Sequence, residues 1–198
     1  MTITDIQDLN RRAVDYSVEI VNHLTPDHLD RPTPCSDWTV TDLLAHMTIQ
    51  HRGFAAAACG NGADLDVWKV QPLAADPLRD YADAVAEVTA AYDQPDILER
   101  TFDLPEFGPG AQAPGAFALQ VHFIDYVVHA WDIARALHVP YHLADDFIAP
   151  SLEIIAVIPT GEARKASTAF ATELPSTPGA SPLDRILTHL GRNPAWPN

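Results

Sequence analysis

The stretch Gly115–Val139, GAFALQVHFIDYVVHAWDIARALHV, is among the most apolar in the chain, yet it contains His122, Asp125 and His129. Their spacings of three and four residues would place all three side chains on one face of an α-helix. Asp132 extends this face by one turn, and most of the remaining circumference is apolar, which predicts a buried helix. Because buried imidazoles and carboxylates must be paired, hydrogen-bonded or bound to metal, the polar stripe predicts a metal site.

Asp125 and His129 can chelate one ion from adjacent turns, but zinc takes three or four protein ligands. We expect the third ligand on a facing helix, because metal sites in helical bundles are built across the core. His46, in the run LLAHM, supplies it, whereas His51 points elsewhere on the same helix. His46, Asp125 and His129 are therefore the predicted metal ligands, with coordination positions left open for water or substrate.

Two imidazoles and one carboxylate favour zinc, and nickel, iron or manganese are alternatives, since the same set describes non-haem iron sites. His122, one turn before Asp125, is the candidate catalytic residue, as a general base or proton shuttle. It is alternatively a further ligand or a group that orients one. A purely structural polar network is the competing interpretation of the whole stripe. Asp132 and Arg135 are predicted to form an ion pair within the helix.

The two cysteines, Cys35 and Cys59, do not make a disulfide framework. Cys35 lies in a proline-rich loop, and the sequence places no lysine or arginine where it would lower the thiol pKa. An ordinary thiol is therefore favoured over a nucleophile. Trp38, in the same loop, is interpreted as a packing residue rather than as a lid over a site.

Apolar residues at helical spacing predict four long amphipathic helices and hence an all-α bundle. The two connections richest in proline and glycine are candidate long crossovers, and a short hairpin is expected around Phe102. Residues 159–181 are expected to be irregular. The predicted capping pairs are Thr4 with Gln7 and Thr39 with Asp42. The helices are expected at about 5–24, from Thr39 to Gly60, and at about 77–92, 115–138, 145–158 and 182–191. Residues 1–140 then form the metal-binding bundle, and residues 141–198 form a C-terminal helical extension packed on the same domain.

The formal net charge of −15 over 198 residues argues against binding to nucleic acid or to an anionic membrane surface. The N-terminal residues lack the pattern of a signal peptide, and no apolar run is long enough to span a membrane. The cytoplasm is the expected compartment. The pattern is compatible with a monomer or a homodimer.

Three strings identify a resemblance: TPCSDWTVTDLLAHM (33–47), HFIDYVVHAWDIARAL (122–137) and LGRNPAW (190–196). Together they resemble the DinB-like four-helix bundle superfamily, in its branch related to the N-terminal domain of mycothiol-dependent maleylpyruvate isomerase. The resemblance implies long crossover connections and a divalent metal in the core. The family's metal triad falls on His46, Asp125 and His129, with Asp125 where the isomerases carry glutamate.

Three functions follow as hypotheses. The first is a metal-dependent thiol S-transferase or isomerase acting on a small-molecule substrate, for which the resemblance implies mycothiol as cosubstrate. Metal-activated water for hydrolysis, or redox chemistry at iron, is the second. In the third, the metal-binding protein is not an enzyme, and a fourth protein ligand closes the coordination sphere. Dependence of turnover on a thiol separates the first hypothesis from the second, and an exchangeable water on the metal would argue against the third.

Overall fold

Four long helices form the body of the protein in a computed structural model that describes residues 5–35, 37–165 and 170–197. In chain order, the first long helix packs against the fourth and the third, and the second packs against the third and the fourth, so that the four helices form a closed ring. This arrangement confirms the all-α bundle that the periodicity predicts. The helices are α1 (Ile6–Val21), α2 (Val40–Ala58), α3 (Pro77–Tyr92) and α4 (Gly115–Leu137).

The start of α2 follows the predicted capping pattern. The Thr39 hydroxyl accepts a hydrogen bond from the backbone N–H of Asp42, and the Asp42 carboxylate accepts from the backbone N–H of Thr39. At α1 the prediction differs from the structure. Asp5 is the N-cap, and the Gln7 side chain donates to the carbonyl of Tyr92 instead of capping the helix. Thr4, the expected cap, lies outside the described residues.

The predicted crossovers follow from which helices are neighbours. Consecutive helices α1 and α2 occupy opposite corners of the ring, as do α3 and α4, so residues 22–39 and 93–114 each cross an end of the bundle. The second crossover contains the expected hairpin, in which β1 (Thr101–Asp103) pairs antiparallel with β2 (Gln112–Pro114). A 3₁₀ turn at Pro105–Phe107 lies between the two strands and carries Glu106.

Among the described residues, three shorter helices follow the bundle: α5 (Asp145–Val157), α6 (Glu162–Lys165) and α7 (Pro182–His189). Helix α5 runs through Pro150 without ending there and packs against α4 and α7. Helix α6 corrects the expectation that residues 159–181 are wholly irregular. It carries Arg164, which is almost fully buried and donates hydrogen bonds to the carbonyls of Pro159, Ala171 and His189. No helix among the described residues is long and apolar enough to cross a membrane.

Candidate metal centre

Packing of α2 against α4 brings His46, Asp125 and His129 together. Each offers one ligand atom, and the three atoms lie within 4.8 Å of one another. The Nε2 atom of His129 is 3.3 Å from Oδ1 of Asp125, and the imidazole rings of His46 and His129 are 5.2 Å apart between centroids. This span is close to what one ion with bonds of about 2.0–2.2 Å can bridge. Trp38 packs on His46, with 4.8 Å between ring centroids.

The charges around these three side chains fit a divalent cation. Burial lowers the pKa of His46 to about 4, so that its imidazole is neutral and has a lone pair for a metal. Burial opposes ionisation of Asp125, but His129 and His46 outweigh it and lower the Asp125 pKa to about 2. Burial also opposes charge on His129, yet Asp125 and Asp132 raise its pKa well above the usual value. The site therefore stabilises positive charge at His129, whether a proton or a metal ion supplies it.

The other ring nitrogen of His129 is held by Asp132. The Nδ1 atom lies 3.0 Å from Oδ2 of Asp132, whose side chain is fully buried. Arg192 donates to the same oxygen from Nη2 at 3.1 Å and from Nε at 3.3 Å. A carboxylate that accepts from Nδ1–H fixes the tautomer in which Nε2 is free to bind a metal.

Two expectations about this region are wrong. Asp132 pairs with Arg192 across the fold and not with Arg135, whose guanidinium donates to the carbonyl of Trp196. A cation does lie beside Cys35, because Nη2 of Arg192 is 3.3 Å from its sulfur. The Cys35 thiol in turn donates to Asp132, with 3.1 Å between sulfur and oxygen. The contacts of Cys35 are thus more polar than its position in a proline-rich loop suggests.

Cys35, His129 and Asp132 form a second group whose ligand atoms lie within 4.8 Å of one another. The buried guanidinium of Arg192 contacts both the sulfur and the carboxylate of this group. A second cation placed there would be repelled by Arg192 at short range. The geometry therefore favours the triad that includes His46 as the metal site.

His122 lies apart from the triad, in a fully buried chain of hydrogen bonds. Its Nδ1 is 2.9 Å from Nδ2 of Asn10, and its Nε2 is 3.2 Å from Nδ1 of His51. His51 continues to the Tyr81 hydroxyl at 3.3 Å, which lies 2.6 Å from the Ser17 hydroxyl. Burial lowers the pKa of His122 to about 3, so that the ring is neutral.

One assignment of protons satisfies every link in this chain. Ser17 donates to the carbonyl of Val14, so Tyr81 must donate to Ser17 and accept from His51. The other ring nitrogen of His51 then accepts from His122, which accepts from Asn10. The chain explains why His51 is buried although no role was predicted for it. Together, Asn10 and His51 occupy both ring nitrogens of His122.

A cavity of about 100 Å³ borders the triad. Glu106 and Gln50 line it together, and Nε2 of Gln50 donates to Oε1 of Glu106 at 2.7 Å. Burial raises the pKa of Glu106 above its usual value. Glu106 is not among the predicted site residues, because its only local signal is a carboxylate in a loop rich in proline and glycine. The lining comprises His46, Gln50, Phe54, Glu106, Phe107, Val121, Asp125 and Phe170.

Comparison with known proteins identifies a family that this chain matches. The family model for the mycothiol maleylpyruvate isomerase N-terminal domain matches residues 11–134. The matched range includes all three members of the triad and ends before Arg192. The resemblance identified in the sequence is thereby confirmed.

Individual proteins are also similar to this chain over most of its length. Two uncharacterized proteins of Mycobacterium tuberculosis, from strains CDC 1551 and H37Rv, are each 26% identical over 188 residues, covering 92% of this chain and 95% of theirs. A crystal structure of a mutant of the mycothiol-dependent maleylpyruvate isomerase aligns with a TM-score of 0.59 at 12% identity, covering 79% of this chain and 68% of that one. At this identity the likeness shows a shared fold.

Proposed function

Because the chain belongs to the mycothiol maleylpyruvate isomerase N-terminal domain family, we propose that it is a metal-dependent thiol enzyme. In this proposal His46, Asp125 and His129 hold a divalent metal, zinc in the first instance, with nickel, iron or manganese as alternatives. The cosubstrate is a low-molecular-weight thiol, mycothiol, and the reaction is S-transfer or isomerisation. The observation that carries the proposal is the cavity beside the triad, because a catalytic metal needs space at an open position.

When bound, a divalent metal at this triad would lower the pKa of a coordinated thiol and so supply a thiolate at neutral pH. The protein contributes the orientation of the ligands. Asp132 holds Nδ1 of His129, and Arg192 holds Asp132, so that Nε2 of His129 is directed toward Asp125 and His46. Mutation of such supporting groups typically costs about 10–100-fold in metal affinity or activity.

The proposed reaction is addition of the thiolate to an activated carbon–carbon double bond. The sulfur forms a bond to the β-carbon, and the π electrons of the double bond move onto the activating carbonyl. Protonation of the resulting enolate gives an S-conjugate. In the isomerisation, rotation about the former double bond takes place in the enolate, before any protonation. The C–S bond then breaks, the thiolate leaves with its electron pair, and the double bond forms again with the other geometry.

We assign the proton transfer to Glu106 rather than to His122. Glu106 lines the cavity, and burial raises its pKa, which favours the protonated form in which it can donate to an enolate. Both ring nitrogens of His122 are occupied by hydrogen bonds inside the core. The role that these contacts support for His122 is structural. We place the activity in the cytoplasm, where low-molecular-weight thiols are kept reduced.

The test is thiol consumption by the zinc-loaded protein with mycothiol and a panel of activated alkenes. We expect turnover with mycothiol that is lost in His129→Ala and reduced in Glu106→Gln, a near-isosteric variant that cannot transfer the proton. Gln71→Ala, at an exposed position that is not in the described lining of the metal cavity, serves as the control. Turnover of the acceptor without any thiol would favour metal-activated water. Tight metal binding without turnover under any of these conditions would favour a non-catalytic metal site.

A further inference from the structure

A second cavity, of about 210 Å³, adjoins the one at the metal site. We call it the apolar chamber. It shares Phe107, Val121 and Phe170 with the metal cavity, so the two recesses are neighbours along one wall. Neither alone reaches the roughly 300 Å³ at which ligand pockets commonly begin, so a ligand of ordinary size would have to occupy both. The rest of its lining is Phe117, Gln120, Ile154, Val157, Ile158, Pro159 and Arg164.

Exposed large apolar side chains gather at the apolar chamber. Phe107, Phe117 and Val157 are three of the seven large hydrophobic residues that remain exposed in the described part of the chain. Val157 is the most exposed of them, at 70%. Scattered exposed apolar residues need no explanation, but a cluster at the edge of a cavity marks a binding surface.

The charges around the metal cavity disfavour an anionic substrate. Asp125 and the carboxyl group of Glu106 line it, and no lysine or arginine appears among its described lining residues. Arg52 is not among the described lining residues of this cavity, and it is paired with Asp80 and Glu87. The whole chain adds a formal net charge of −15. A bound divalent metal would add two positive charges, but Asp125 and the coordinated thiolate would offset them, so a dicarboxylate would meet no fixed cationic partner among the described lining residues.

Arg164 is the charged residue among the described lining residues of the apolar chamber, and its guanidinium hydrogen bonds go to backbone carbonyls. Its Nε, Nη1 and Nη2 atoms donate to the carbonyls of Pro159, Ala171 and His189, and its guanidinium lies 5.7 Å from the ring centroid of Phe170. These contacts tie α6 to the segments around it. The surface that this region presents to the chamber is accordingly dominated by apolar groups.

We propose that the acceptor substrate is an uncharged electrophile with an apolar arm, such as an aryl ring or a short hydrocarbon chain. The arm occupies the apolar chamber. The electrophilic carbon lies in the metal cavity, next to Phe107, Val121 and Phe170, which line both cavities. This inference rests on the proposed thiol-enzyme function and names its class of acceptor. In the reaction itself, the thiol sulfur bonds to the β-carbon and the thiol proton ends on the α-carbon.

A matched pair of compounds tests the inference: benzalacetone, an uncharged aryl enone, and benzylacetone, its unreactive saturated counterpart. Calorimetric titration of benzylacetone into the metal-free protein tests the apolar chamber without a contribution from bound metal, and the chamber variants locate the binding. We expect saturable binding that weakens about fivefold in Val157→Asp, since a carboxylate at the edge disfavours burial of an apolar arm. Val121→Phe should weaken it about tenfold by filling space next to the shared wall.

The matched control is Val70→Asp, a variant at a similarly exposed valine, 57% accessible, in the connection between α2 and α3. It should change the Kd of benzylacetone less than twofold. Val157→Asp should disturb folding no more than its control, since both side chains are exposed. The inference is overturned if benzylacetone shows no saturable binding, or if Val157→Asp and Val121→Phe both bind it as the wild type does.

Turnover separates this inference from the proposed function. We expect the zinc-loaded protein with mycothiol to consume benzalacetone at least about tenfold faster than maleate, relative to the uncatalysed rates. Faster consumption of maleate would overturn the acceptor class and leave the thiol-enzyme proposal standing. Binding of benzylacetone that responds to both chamber variants, without turnover of either acceptor, would support the chamber as a site for apolar ligands and overturn the thiol reaction.

Discussion

His122 and His129 lie two turns apart on the same face of α4, and both are buried, yet their surroundings differ in kind. His122 is part of a neutral chain of hydrogen bonds that runs through Asn10, His51 and Tyr81. His129 lies between two carboxylates, those of Asp125 and Asp132. The pKa of the first imidazole is lowered by burial, and that of the second is raised by its acidic neighbours.

The comparison shows that spacing on a helix selects which side chains share a face, whereas their chemistry is set by what packs against them. At His122 every ring nitrogen has a neutral partner, so the contacts stabilise the fold. At His129 the local negative charge and the adjacent cavity favour a cation with an open position. Substitutions at and around His129 should therefore change metal affinity, whereas substitutions at His122 should change stability.

The largest effect is expected on stability when the neutral chain is broken. His122→Ala removes a buried ring and leaves Asn10 and His51 without a partner, so we expect it to lower the free energy of unfolding by about 3 kcal/mol. Urea denaturation of the metal-free protein measures this loss. Metal content should not change. A loss under about 0.5 kcal/mol, or a loss of metal, would contradict the division of the stripe.

A smaller effect is expected from the carboxylate behind His129. Asp132→Asn keeps the shape of the side chain but removes the charge, so we expect the Kd for zinc to rise about 10–100-fold. Competition with a chromophoric chelator measures it. Arg135→Gln is the matched control on the same helix, because Arg135 donates a hydrogen bond to the carbonyl of Trp196 and not to Asp132. Equal affinities in Asp132→Asn and wild type would mean that Asp132 does not support the site.

The pH dependence of metal binding distinguishes the two imidazoles of the triad. His46, with a pKa of about 4, is already neutral at pH 5.5–7, whereas His129, with its raised pKa, must release a proton to bind metal. Affinity should therefore increase with pH by about tenfold per unit in this range, corresponding to one proton released. The chelator competition at several pH values measures the slope. A slope near two would mean that His46 also carries a proton.

The smallest effect is expected at Cys35. Its thiol contacts Asp132 and Arg192 but lies outside the favoured triad, so Cys35→Ser should change the Kd for zinc less than about twofold. Cys59→Ser, at an exposed cysteine remote from the site, is the control. A large loss of zinc in Cys35→Ser alone would move the metal to the second group and make Cys35 a ligand.

Local sequence patterns predict most of the helices, and they identify the residues of the triad as candidate metal ligands. The cap at Thr39, the Asp76–Pro77 start of α3 and the long apolar run of α4 are signals within a few residues, and the structure follows each of them. His46 could be selected because a metal site needs a ligand from a facing helix. The hairpin around Phe102 was likewise suggested by its flanking turn residues.

The remaining features depend on contacts between residues distant in sequence. Arg192 reaches Asp132 from 60 residues away, and Glu106 meets Gln50 from 56 residues away. No periodicity relates such positions, so the local rule at i, i+3 favoured Arg135 as the partner of Asp132 and left Cys35 without a cation. The neutral chain through His122 has the same origin, because its partners come from α1, α2 and α3.

The most direct test is the metal content of the purified protein, measured by elemental mass spectrometry after zinc loading and desalting. Wild type is compared with His129→Ala and with His122→Gln, a change to the other histidine of the same face that keeps a hydrogen-bonding side chain. We predict about one equivalent of zinc in wild type and in His122→Gln, and less than about a tenth in His129→Ala. One equivalent in all three proteins, or no zinc in any of them, would contradict the account.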